Sequence, residues 1–360
     1  MDKQTIYEEL NILKAENDRL CGRVEELEKL TTGIFETLKS VVTNVEKIQA
    51  CENDTDDFVN LLYKFTESER NNYKYESNDS TLSQEDYFYP TFRSDAETIR
   101  LITEEKKSLG RFGDAEFSII ANAPIHKYQS RNEKLATRLR EVLSAENENL
   151  LIGIAKNYGD LSEYTRMAAY GIRSYMTDEV RAQHSALLPK ERIYSNGYIT
   201  RPYVMYKDNM TDAPKKRFNA LRAIWEKKDI IMVEGAQTRL GAGNDLFSNA
   251  GSIRRILAPA VSSFDRYDDI YRACMKNADS ADIFILAIGP SSGVLSHDLS
   301  LNGYQAVDVG HIDIEYEWFL RGKGVRTPVP GKYNNEIRGG DIVEEITDSL
   351  YEAQIIEACI

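Results

Sequence analysis

The chain has 360 residues, a formal net charge of −13 and 42% apolar residues. That length holds one large domain or two ordinary ones, and the apolar share is enough for a sizeable core. The acidic balance argues against a nucleic-acid partner, which selects a basic face, and against electrostatic docking on anionic lipid.

In chain order, residues 6–48 come first, with an unbroken heptad. Ile6, Leu13, Leu20, Leu27, Ile34, Val41 and Ile48 occupy d; Leu10, Asn17, Val24, Thr31, Leu38 and Val45 occupy a. Val at a with Leu at d favours two parallel strands, and a buried Asn such as Asn17 sets register and oligomer state. Glu9 at g faces Lys14 at e of a partner, and Arg23 faces Glu28. The pattern predicts a homodimeric coiled coil; the alternative is one amphipathic helix packed on the body. Gly22 and Gly33 weaken the helix either way.

Residues 51–90 change character, with the acidic Glu52–Asp57, a short amphipathic piece around Phe58–Phe65 and a polar run through Ser80. This reads as a polar linker with one short helix. From about 91, short β-branched runs alternate with helical stretches. Leu150–Ala155, Ile230–Val233, Ile283–Ile288 and Ala306–Val309 predict strands of a parallel sheet covered on both faces. Ligands of such sheets bind beyond the carboxyl ends of the strands.

Four constellations carry chemistry. Gly110-Arg111-Phe112-Gly113-Asp114-Ala115-Glu116 packs a cation, two glycines and two carboxylates together. Carboxylates two apart suit a hard divalent cation, glycines admit close backbone approach, and Arg offers a planar fork to phosphate. The spacing alone is also common on solvated surfaces. Glu234–Asp245, with Arg239, Gly241, Gly243 and Asn244, is a glycine-rich turn expected between a strand and a helix over Leu246–Leu257. Such a turn presents N–H groups to phosphate, or is an ordinary capped turn. Gly289-Pro290-Ser291-Ser292-Gly293 offers hydroxyls to a phosphate or sugar, or caps its helix. Gly310-His311-Ile312-Asp313-Ile314-Glu315-Tyr316-Glu317-Trp318 sets His311 among carboxylates, as a metal ligand or acid–base group. His126, His184 and His297 lack such company and read as structural. Arg201, in Thr200-Arg201-Pro202-Tyr203, suits sugar or phosphate contact, or is a loop Arg beside a packed Tyr.

Cys21, Cys51, Cys274 and Cys359 lie far apart and read as reduced thiols. The start Met1-Asp2-Lys3-Gln4 lacks a signal-peptide pattern, and no apolar run reaches the ~20 residues that span a bilayer. A cytoplasmic protein that does not span the membrane is expected, working on cytosolic precursors and reaching the inner membrane face only through partners.

Arg-Phe-Gly-Asp-x-Glu, Thr-Arg-Pro-Tyr, Glu-Gly-x-x-Thr-Arg-Leu-Gly-x-Gly-Asn-Asp-Leu and Gly-His-x-Asp-x-Glu-Tyr-Glu-Trp occur in this order. Over roughly 91–345 the chain resembles the bacterial GT-D-type glycosyltransferases, long a domain of unknown function. The resemblance implies a Rossmann-like α/β fold, a mostly parallel sheet with helices on both faces. It implies a UDP-sugar donor, Mn²⁺ or Mg²⁺, and glucose added to glycans of serine-rich adhesins. The expected organisation is a coiled coil at 1–50, a polar linker at 51–90, the GT-D domain at 91–345 and a C-terminal helix at 346–360. Asp114, Glu116, His311, Asp313 and Glu317 form the expected catalytic set, with Asp114, Glu116 and His311 on the metal. Arg111, Gly113, Arg201, Glu234, Arg239, Gly241, Gly243, Asn244, Asp245, Ser291 and Ser292 form the expected donor-binding set. The expected partners are a UDP-sugar, a glycan or glycoprotein acceptor and a second copy through residues 6–48. A nucleotide-sugar hydrolase and a nucleotide-binding coiled-coil scaffold are the rival readings.

Overall fold

The computed structural model describes residues 3–49, 59, 62–63, 66–67, 72, 75–76, 87–122, 129–337, 339–343 and 347–360. The chain divides into two compact units, Met1–Glu67 and Ser68–Ile360.

In the first unit, α1 (Lys3–Gln49) is one continuous helix. Its seam stays open to water: Leu10, Leu13, Leu20, Val24, Leu27, Ile34 and Leu38 are each more than half exposed. Within the helix, hydroxyls of Thr31, Thr32 and Thr37 donate to the carbonyls one turn back. The side chains of Ile6, Val45 and Ile48 lie outside the described residues, as does Cys51.

The second unit is built on a nine-stranded sheet in which every pairing is parallel. The strands are β1 (Thr91–Phe92), β2 (Ser108–Phe112), β3 (Leu150–Ile154), β4 (Ile193–Asn196), β5 (Asp229–Gly235), β6 (Ser252–Ala258), β7 (Ile283–Ala287), β8 (Ala306–Asp308) and β9 (Ile355–Ala358). Their order is β1-β4-β3-β2-β8-β7-β5-β6-β9. All four expected strands are present. Neighbouring residues on β5 enter different cores: Ile230 and Met232 join Trp225 and Trp318, whereas Ile231 and Val233 join Cys274 and Leu286. Both faces are therefore covered, which is why the strands read as continuous apolar runs.

The helices that frame the site are α2 (Asp95–Thr103), α3 (Asp114–Ile120), α4 (Glu133–Ser144), α5 (Arg166–Tyr175), α6 (Asp178–Leu187), α7 (Ala213–Arg222), α8 (Tyr267–Asn277), α9 (Ser291–Leu301) and α10 (Ile312–Arg321). Side-chain oxygens of Ser94, Asn132, Thr165 and Thr177 cap four of them, each accepting a main-chain N–H from the first turn.

Three expectations change. The helix placed over Leu246–Leu257 is a turn followed by β6. Those residues pair with β5 in unbroken register from Asp229↔Ser252 to Gly235↔Ala258, and buried Glu234 compensates the buried Arg255. Residues 346–360 are not one helix. The short α11 (Ser349–Ala353) leads into β9, which pairs with β6. Within 51–90, Asn72, Tyr75 and Glu76 are helical and belong to the second unit. Tyr75 donates to Asp178 at 2.9 Å and lies 4.0 Å under the Arg181 guanidinium, and Glu76 binds Arg173 through both oxygens. These contacts join residues about a hundred positions apart, beyond any local composition signal.

Candidate active site

The chain leaves β2 toward β3 on one side and returns through β8 on the other. Strand order therefore reverses between β2 and β8, and their carboxyl ends splay around a crevice, the usual ligand site of an open parallel sheet. A cleft of about 1000 Å³ opens there, lined by the ends of β2 and β8, the start of α3, one side of α5, and residues 324–326, 333, 335 and 336.

Asp114 and Glu116 line it from the first turn of α3, the residue after β2 being Gly113. Asp114 is exposed. Glu116 reaches back, its Oε2 accepting the Gly113 N–H at 2.7 Å, which ties the turn together. Burial pushes the Glu116 carboxyl up to about 7, the Gly113 bond pulling the other way and nearby Asp308 adding to the rise. A carboxylate poised near neutrality beside an exposed one can hold or take a proton.

Arg111 lines the cleft but spends its fork on the protein. It donates to Asp308 Oδ1 at 2.8 Å, to the Asp308 carbonyl at 3.0 Å and to the Gly197 carbonyl at 3.2 Å. Burial raises the Asp308 carboxyl and Arg111 opposes that rise. These bonds fasten the cleft floor.

Arg201 and His311 do meet in the cleft, joined by Glu336. Both Arg201 terminal nitrogens bond this carboxylate, and Nη2 also lies 3.0 Å from His311 Nδ1. Arg326 adds a contact to Glu336 Oε2 at 3.4 Å. These cations hold Glu336 well below the usual carboxylate range against the cost of burial. Burial lowers His311 to about 4, Glu336 opposing and three nearby arginines adding to the fall, which favours the neutral ring at physiological pH. Sequence reasoning missed Glu336 and Arg326, which follow no motif. It also missed Asp308, although a charge inside the run Ala306-Val307-Asp308-Val309 was a signal.

The carboxylates of α10 face different ways. Glu315 lines the cleft yet its Oε2 accepts the N–H groups of Tyr203 and Val204 at 3.1 and 3.0 Å. Asp313 and Glu317, one turn apart, share Lys332 and Asn244: Lys332 donates at 2.6 and 3.1 Å, Asn244 at 2.7 and 2.8 Å. Asp313 reaches the cleft lining; Glu317 does not. Both carboxylates staple the glycine-rich loop and the 332 segment to α10.

That loop lies away from the cleft, which only Gly235 and Thr238 of it reach. Glu234 is fully buried, bonded to Arg255, to the Leu240 N–H and to Tyr351 Oη. Arg239 stacks 5.0 Å over the Tyr351 ring. Gly241 sits at φ +72°, where a Cβ would meet Phe247 at 2.6 Å. Gly243 has φ +79° with open space around it, and Asp245 accepts from Tyr316 Oη at 2.7 Å. The serines are internal as well: Ser291 Oγ bonds Ser263 Oγ at 2.8 Å and Ser292 Oγ accepts the Ile288 N–H at 3.0 Å. Glu234, Arg239, Gly241, Gly243, Asn244, Asp245, Ser291 and Ser292, expected to bind the donor, therefore do not line the cleft.

Among the described residues no three His, Cys, Asp or Glu side chains converge as a metal cage. Asp114, Glu116 and His311 are thus not a preformed three-ligand set, and Arg201 occupies the Nδ1 side of His311. The exposed Asp114 fits a more open site, in which ligand oxygens and water complete the shell of a hard cation. Of the remaining histidines, His184 is buried between Tyr158 and Tyr175, at 2.7 and 3.1 Å, and stacked on Phe117; His297 lies against Asp298. His126 lies outside the described residues. No helix among the described residues is long and apolar enough to cross a membrane.

Known proteins share this architecture. A family model described as the glycosyltransferase GT-D fold matches residues 109–337. The glycosyltransferase GlyD of Streptococcus pneumoniae serotype 4 is 34% identical over 261 residues, covering 72% of this chain and 31% of that protein. The probable glycosyl transferase Gly of Streptococcus gordonii is 33% identical over 261 residues, covering 72% of this chain and 37% of that protein. The chain thus spans about a third of the length of these curated relatives. A solved structure from Streptococcus sanguinis, described as a new glycosyltransferase of domain family 1792, superposes with a TM-score of 0.69 at 30% identity, over 75% of this chain and 99% of that one. Another, of domain 1792 with a distinct glycosyltransferase fold, gives 0.69 at 31% identity over 75% and 95%. A parallel sheet whose order reverses at a charged cleft, and these matches across most of that sheet, make the chain a member of the GT-D-fold glycosyltransferase family.

Proposed function

We propose that the cleft moves a sugar, glucose by the resemblance, from a UDP-sugar to a hydroxyl of a glycan or glycoprotein acceptor. The bond from the anomeric carbon to the diphosphate breaks, a bond from the acceptor oxygen to that carbon forms, and the acceptor proton leaves to a base. The observation that carries this reading is the pairing of exposed Asp114 with near-neutral Glu116 at the strand-order reversal, facing the Arg201–His311–Arg326 wall. Asp114 is the residue placed to hold Mn²⁺ or Mg²⁺, which when bound supplies positive charge to the leaving diphosphate. Glu116 suits the base, since a catalytic group works best with a pKa near the working pH. Cytoplasmic action on bacterial adhesin or surface-glycan precursors belongs to the same proposal.

The first unit supports a second part of the reading, self-association through α1. Seven seam residues are over half exposed and Asn17 stands among them, a pattern that a second copy in parallel would bury.

The test is a screen of UDP- and GDP-sugars with Mn²⁺, read as nucleotide release with and without a panel of glycan acceptors. Release that depends on acceptor supports transfer. Equal release without acceptor makes the protein a hydrolase, and UDP binding without release makes it a scaffold.

A further inference from the structure

We propose that Glu336, acting through Arg201, fixes His311 as the Nε2–H tautomer, so that His311 serves as a hydrogen-bond donor to the leaving diphosphate and neither binds metal nor takes a proton. This rests on the donor reading above for the identity of the anion, but not for the tautomer.

The argument begins with valence. Arginine has donors and no acceptor, so an Arg nitrogen 3.0 Å from His311 Nδ1 leaves that ring nitrogen only the acceptor role. A neutral imidazole accepting at Nδ1 carries its proton on Nε2. The rival donor arrangement, Nδ1–H toward Glu336 Oε1, spans 3.5 Å and would aim a hydrogen at the Arg201 donor. Glu336 decides between them. It engages both terminal nitrogens of Arg201, which locks the guanidinium plane, and Arg326 closes on its other oxygen.

Position supplies the ligand. His311 is the residue immediately before the ten-residue α10, at the positive end of its dipole, and it lines the cleft a few residues past the end of β8. An N–H donor, a helix N-terminus and the partly exposed Arg326 form a wall suited to a diphosphate leaving group. Glu336 touches no reacting atom in this scheme and is a positioning residue.

The experiment is long-range ¹H–¹⁵N spectroscopy of the full chain with labelled histidine, four residues in all. His311 is assigned by its loss in His311→Gln. Expected at pH 7 is a neutral ring protonated at Nε2; an Nδ1–H ring or an imidazolium overturns the proposal. Glu336→Gln should give a mixture of tautomers, whereas a spectrum like wild type removes Glu336 from the scheme. Adding UDP with Mg²⁺ should move the Nε2 resonance. Bound UDP that leaves it unmoved overturns the diphosphate contact, and failure of UDP to bind overturns the donor class proposed above. In turnover, His311→Ala should lose about a hundredfold, as for loss of one preorganised donor. His311→Gln, whose amide N–H falls near Nε2, should recover about tenfold of that with an unchanged metal requirement. A Gln variant as slow as Ala, or one needing more Mn²⁺, returns His311 to base or ligand.

Discussion

Arg111 and Asp308 fasten the two strands that part around the cleft. Nη2 meets Oδ1 at 2.8 Å and Nε meets the Asp308 carbonyl at 3.0 Å, while the Gly310 N–H takes the same Oδ1 at 3.0 Å. Gly310, at φ +47°, makes the approach possible, since a Cβ there would stand 2.0 Å from Nη2. The pair is largely buried, at 15% and 6% side-chain exposure. Removing one partner strands the other charge, a loss of about 3 kcal/mol. Arg111→Met should therefore unfold at lower urea. Wild-type urea stability with only a raised donor KM would make Arg111 a ligand group instead.

Asp114→Asn and Glu116→Gln should each lower turnover by about two to three orders of magnitude, the scale of losing a key electrostatic group. Stability should change little, because Asp114 is exposed and Gln at 116 can still accept the Gly113 N–H. A near-normal rate in Asp114→Asn, or rates indifferent to EDTA, would remove the metal–diphosphate role, and a near-normal rate in Glu116→Gln would remove the base.

His184 gives the protein an acid-sensitive core. Burial first, and Arg181 second, lower it from 6.5 to about 3. Above pH 6.5 both folded and unfolded chains hold it neutral, and its packing contributes in full. As pH falls below that value the unfolded chain takes a proton the folded one refuses, so stability is lost progressively toward pH 3. His184→Gln, which can keep both tyrosine bonds, should show a shallower fall of urea midpoint between pH 6.5 and 4.5. Parallel pH profiles for the two proteins would exclude this contribution.

Deleting residues 1–50 should convert a dimer to a monomer by light scattering and leave the sheet unit folded by circular dichroism. The full chain running as a monomer at micromolar concentration would refute pairing through α1.

Much of the scaffold was legible. The heptad of α1 and the β-branched runs of β3, β5, β7 and β8 are local patterns, and burial on both faces leaves no polar alternation to confuse them. β6 and β9 were not legible. Arg255 breaks the apolar run and is tolerated because Glu234 from the neighbouring strand meets it, with Gln354 and the Leu240 carbonyl taking further donors. A buried ion pair between strands leaves no trace at either position alone.

The sequence by itself determined the fold family, the helix of the first unit and the meeting of Asp114, Glu116, Arg201 and His311 in one cleft. Chain order and strand polarity carry those residues to the same sheet edge. Only the tertiary structure decided what each side chain does there. Arg111 turned to Asp308, Asp313 and Glu317 to Lys332, Ser291 to Ser263, and Glu336 arrived from a segment without a motif to hold Arg201. Residue type sets what a group can donate or accept. Which partner takes up that capacity depends on neighbours that are distant in sequence.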